Sequence, residues 1–110
     1  MNRLLTTKDF TKEIIEYKKV AIVQFSAEWN GGCQIIAPIY DELSKYYAAK
    51  ARFFTIDIQE EKLIAKEYGI TDLPTILFFR AGELIDHIAG LTPKNVLIAK
   101  IENAIAGISG

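Results

Sequence analysis

The sequence predicts an α/β domain with a mixed central β-sheet and helices on both of its faces. Three observations lead there. Short apolar, β-branched runs alternate with segments whose apolar residues recur at helical spacing. Helical segments separate the earlier strand-like runs, which is the pattern of parallel crossovers. The last two runs are separated only by Ala81-Gly82-Glu83, the spacing of a hairpin. A sheet with both kinds of connection is mixed.

In chain order, Thr6 or Thr7 can cap a first helix, with Asp9 favourable in its first turn. Phe10, Ile14 and Tyr17 give that helix an apolar stripe, and Lys18-Lys19 close it. Val20 to Ser26 reads as a buried strand. A helix then extends to about Ala49, with Ile35, Ile36, Ile39, Tyr40, Leu43 and Tyr47 at helical spacing. Arg52 to Asp57 reads as a second central strand. Glu60 to Tyr68 forms a short helix that Gly69 ends by taking the left-handed conformation. Ile76 to Arg80 is a third strand, and Leu84 to Ala89 completes the hairpin. Thr92-Pro93 caps and starts a last helix whose Val96, Leu97, Ile101 and Ile105 face inward. No repeat, linker or low-complexity segment interrupts this order, so residues 1–110 are expected to form one domain.

Composition narrows the function classes. Half of the 110 residues are hydrophobic and a quarter are charged, which is globular composition. A net charge of −1 gives no electrostatic footprint for nucleic acid. The first residues, Met1 to Asp9, lack the apolar core of a signal peptide, and no apolar run approaches ~20 residues. A cytoplasmic, monomeric protein without membrane contact is therefore expected. The single cysteine, Cys33, excludes an intramolecular disulfide. One cysteine with one histidine does not make a metal site, which wants three or four ligands. No metal and no cofactor are expected.

The chemistry concentrates in Trp29-Asn30-Gly31-Gly32-Cys33-Gln34-Ile35-Ile36-Ala37-Pro38, a strand-to-helix turn of the kind where α/β proteins place their sites. This segment resembles the active-site segment of thioredoxins, Trp-Cys-Gly-Pro-Cys followed by a helix with an internal proline. Trp29, Gly31, Cys33 and Pro38 match that pattern in place. Leu73-Pro74-Thr75 is similar to the family's cis-proline segment, Ala81-Gly82-Glu83 to its hairpin turn, and Gly90 to the glycine after its last strand. The resemblance runs from Thr7 to Ala106 and implies a thioredoxin fold.

It also implies a thiol–disulfide exchange site in cell redox chemistry, and there the chain departs from the family. The family's first cysteine is a thiolate at the helix N-terminus, which attacks a substrate disulfide, and the second resolves the mixed disulfide. By the resemblance, Asn30 stands at the attacking position and Cys33 at the resolving one. Gln24 stands where members carry a buried acid, and Thr55 where they commonly carry a facing lysine. Gly32 replaces the usual proline, a position that tunes redox potential. These changes together imply weak or absent dithiol reductase activity, leaving at most single-thiol exchange through Cys33 with a client or a small thiol. The alternative is a non-catalytic module that holds an extended client peptide in the family's groove. The resemblance places that groove at Trp29, Gly31, Gly32, Leu73, Pro74 and Gly90.

Asn30 has a structural role of its own to offer. Asparagine is among the best N-cap residues, and here it is placed to accept from the N–H of Gly32 or Cys33. Other residues read as structural. His87, beside Asp86 on a strand, reads as a surface or edge residue held apart from Cys33. Glu60-Glu61 is a solvated helix start that suits the dipole. Phe25, Phe53, Phe54, Phe78 and Phe79 lie in strands without interleaved basic residues and read as core.

Overall fold

A computed structural model of the chain describes residues 2–108. It contains β1 (Asn2–Leu4), α1 (Thr7–Phe10, continued by a π-helical turn at Thr11–Ile15), β2 (Val20–Ser26) and α2 (Gly31–Tyr46). β3 (Ala51–Asp57), α3 (Lys62–Glu67), β4 (Thr75–Arg80), β5 (Glu83–Ala89) and α4 (Lys94–Ala106) follow. The strands form one sheet in the order β1-β3-β2-β4-β5. β1 and β2 run parallel to β3, β4 runs antiparallel to β2, and β5 antiparallel to β4. The mixed sheet expected from the connections is therefore present.

Period-two alternation divides the core. Val20 and Ile22 of β2 and Phe53 of β3 pack with Ile36, Tyr40 and Leu43 of α2 and Leu97 and Ile101 of α4. Ala21, Val23 and Phe25 point the other way, onto Phe10, Ile14 and Ile64 from α1, its π turn and α3. Because both faces of β2 are covered, its apolar run is continuous rather than alternating. β5 is mostly exposed or half-buried, as an edge strand can be.

Several boundaries differ from the sequence expectation. β1 was not foreseen, because three residues with only Asn2 half-buried are too short to show an alternation. The first helix widens after Phe10, and Glu16 N–H donates to Thr11 O across five residues. Its stripe survives as buried Phe10 and Ile14, with the Arg52 guanidinium 3.7 Å from the centre of the Tyr17 ring. α2 stops at Tyr46, three residues before Ala49. α3 starts at Lys62, two residues beyond Glu60. In α4 the inward face is Leu97, Ile101 and Ala104, with Ile105 packed at its margin, whereas Val96 is exposed. Pro93 is the N-cap of α4, and no side chain caps that end.

Candidate functional site

The site forms where β2 hands the chain to α2. Asn30 has extended backbone and caps α2, its Oδ1 accepting from the Cys33 N–H at 2.9 Å. Of the two donors the sequence offered, Cys33 is the one used. Asn30 N–H donates to Ala27 O and Gln34 Nε2 donates to Glu28 O at 2.7 Å, so the turn is closed by its own residues. Trp29 stands out from it, 63% exposed. Pro38 lies inside α2 and has no N–H to give the Gln34 carbonyl.

Residues far away in sequence close onto this turn. A Cβ at Gly32 would lie 3.2 Å from Pro74 Cδ and 3.5 Å from Leu73 O, so the first turn of α2 abuts the loop before β4. The Leu73–Pro74 peptide is cis. Pro74 O accepts from the Gly90 N–H at 2.8 Å, and Gly90 takes φ of +87°. Gly31 is open, with nothing within 4 Å of a Cβ placed there. Among the described residues neither the N–H nor the carbonyl of Leu73 enters a hydrogen bond. Asn30, Gly32, Leu73, Pro74 and Gly90 thus lie in one connected group, in which Pro74 is buried, with Trp29 and Gly31 beside it in the chain.

Cys33 faces elsewhere. It is 4% exposed and lines a cavity of about 600 Å³ whose other walls include Leu4, Leu5, Ser26, Ala37 and Thr55. Gly32, Leu73, Pro74 and Gly90 do not line it. Cys33 and Thr55 apart, these cavity residues were given no role by sequence reasoning. Small side chains at Ser26, Ala27 and Ala37, amid runs of larger apolar residues, were the available signal. Behind the wall, Gln24 Nε2 donates to Thr55 Oγ1 at 3.0 Å, and Thr55 Oγ1 donates to Asn2 Oδ1 at 2.8 Å. Gln24 is 4% exposed, and its Oε1 has no partner among the described residues.

His87 is exposed on β5 and lines a separate cavity of about 300 Å³ that Cys33 does not reach. Its neighbour Asp86 pairs with Lys100 Nζ at 2.9 Å. Among the described residues no group of His, Cys, Asp and Glu is arranged to hold a metal ion, and no helix is long and apolar enough to cross a membrane.

The chain is similar in sequence to known proteins. The family model Thioredoxin matches residues 2–103. Thioredoxin from Chlorobaculum thiosulfatiphilum is 35% identical over 100 residues, spanning 91% of this chain and 93% of that protein. Thioredoxin from Rickettsia felis is 40% identical over 101 residues, spanning 92% and 96%. Chloroplastic thioredoxin M-type from Pisum sativum is 41% identical over 92 residues, 84% of this chain and 54% of its own length. With the match running through β1 and most of α4, and with the strand order and the Leu73–Pro74 loop meeting at the start of α2, the chain belongs to the thioredoxin family.

Proposed function

We propose that this thioredoxin-family protein carries out no dithiol disulfide reduction and that its chemistry is confined to single-thiol exchange at Cys33. The observation that carries this reading is a lone cysteine behind a helix cap made by an amide. Dithiol reduction needs two thiols that end as one disulfide. Asn30, at the position the family resemblance gives to the attacking cysteine, has no sulfur to offer. Its Oδ1 accepts the Cys33 N–H, a service a thiolate at the helix start could render, without the reactivity. Gln24 and Thr55 hold each other through an amide–hydroxyl bond where the resemblance puts a proton-handling acid and a lysine. A thiol kept single suits a reducing, cytoplasmic setting.

A second reading is favoured by the unpaired Leu73 backbone. An extended client peptide can pair with it by strand addition, over a surface bordered by Trp29, Gly31, Gly32, Pro74 and Gly90. In this reading a monomer binds a client without altering it. The insulin-disulfide reduction assay tests the first statement. The expected result is no turnover above dithiothreitol alone, and a rate matching a dithiol thioredoxin would overturn it. Cys33→Ser separates the two readings. Peptide binding that survives this change, seen as shifts of the Gly32, Leu73 and Gly90 amides, is the binding module; mixed-disulfide formation lost with it is the thiol activity.

A further inference from the structure

We propose that the cavity beside Cys33 selects small disulfides with cationic arms and presents them to that thiol. This rests on the single-thiol reading above and adds the substrate class. The cavity, about 600 Å³, lies in the range of small-molecule sites. Buried Leu5 and Ala27 line it, together with exposed Leu4 and Ala37, all apolar or small. Its remaining lining carries four carboxylates, Glu28, Asp57, Glu60 and Glu61, and no basic residue. Glu61 Oε1 accepts from Thr7 N–H and Asp57 Oδ1 from Gln59 N–H, whereas Glu28 and Glu60 are exposed and their carboxylates have no partner among the described residues. A short apolar arm ending in an ammonium group complements such a lining. A carboxylate-ended arm meets repulsion from it.

The step is a simple exchange. Cys33 releases its proton to solvent, and the thiolate attacks one sulfur of the disulfide. A bond forms between Cys33 Sγ and that sulfur while the ligand's own S–S bond breaks. The departing aminothiolate takes up a proton. Cys33 gains one ligand half, one free aminothiol leaves, and no other oxidant or reductant takes part.

The test follows mass addition to the native protein by cystamine, bis(2-hydroxyethyl) disulfide and dithiodipropionate, whose ends are positive, neutral and negative. Each rate is divided by the rate with the same chain unfolded in urea, which removes intrinsic reactivity. The expected order is cystamine, then neutral, then anionic, with a spread of about tenfold between neighbours at low salt that shrinks at high salt. Glu28→Gln combined with Glu60→Gln changes only exposed positions and is expected to erase most of the preference. Ser26→Leu, if it folds, fills the cavity and slows all three reagents. Equal normalised rates, or a preference untouched by the double variant, overturn the selectivity while leaving single-thiol exchange standing. Failure of every reagent to modify folded Cys33 overturns the single-thiol reading itself.

Discussion

Asn30 is the residue on which the reading of the site turns, and its two possible roles make different predictions. As a cap it satisfies one N–H of α2, so Asn30→Ala is expected to cost about 1 kcal/mol. For a domain near this size that is a fall of roughly 4–8 °C in melting temperature. Asn30→Ser should keep most of the stability. An unchanged melting curve for Asn30→Ala, together with loss of Cys33 exchange, would instead make Asn30 part of the thiol chemistry. Asn30→Cys tests the complementary statement. It is expected to give a chain whose two thiols oxidise to one intramolecular disulfide, read by mass, with insulin reduction returning only in part. Adding Gln24→Asp should raise that rate further, because it puts a titratable acid beside Thr55. A double variant no faster than Asn30→Cys alone would remove Gln24 from the account. Much of this was legible in the residues: an asparagine between a strand and a helix announces a cap. That Cys33 N–H and not Gly32 N–H fills it depends on how the turn closes through Ala27 and Glu28, which no local pattern encodes.

At the scale of elements, the turns between them carry the sharper constraints. Gly82, between β4 and β5, has φ of +81°, and a Cβ there would overlap the Ile15 carbonyl oxygen at the end of the π turn. Ala81 N–H donates to Lys19 O, so the hairpin is clamped onto the segment that leads into β2. Gly82→Ala is therefore expected to cost more than ~1 kcal/mol, since both the backbone conformation and the space are wrong for it. Gly31, at the first position of α2, is the contrast. A methyl group there meets nothing, and Gly31→Ala should leave stability unchanged or raise it by about 0.4–1 kcal/mol. Urea unfolding of the two variants checks the pair, and similar losses in both would contradict the packing described. The hairpin itself was legible from its spacing. The π turn against which it packs was not, because Phe10, Ile14 and Tyr17 fit an ordinary helical stripe. β1 escaped notice for a related reason: its place in the sheet comes from pairing with Phe53, Phe54 and Thr55, not from its own residues.

Across the whole molecule, two tyrosines of one helical face tie the layers together and set an alkaline limit on the fold. Tyr40 Oη donates to Phe54 O at 2.7 Å and lies 3.1 Å from Ile22 O, which fastens α2 to the two central strands. Tyr47 donates to the Glu102 carboxylate and so joins the end of α2 to α4. The apolar spacing of α2 announced both residues as inward-facing, but their partners lie on other elements and were invisible in the sequence. Burial pushes the Tyr40 hydroxyl far above its ordinary value. The Glu102 hydrogen bond, followed by burial, pushes Tyr47 up to about 12. In the unfolded chain both lose their protons near pH 10. Above that pH the unfolded state binds fewer protons than the folded state, so stability falls as pH rises, by at most about 1.4 kcal/mol per pH unit for each tyrosine. Below pH 10 the contribution is fully present; for Tyr47 it is lost between pH 10 and about 12. Urea midpoints should thus be insensitive to these groups from pH 7 to 9 and fall steeply from pH 10 to 12. Tyr47→Phe should lower the midpoint at pH 8, through the lost bond between α2 and α4, and flatten the alkaline fall. If Tyr47→Phe shows the same alkaline slope as the parent chain, the Tyr47–Glu102 bond is not what holds the proton.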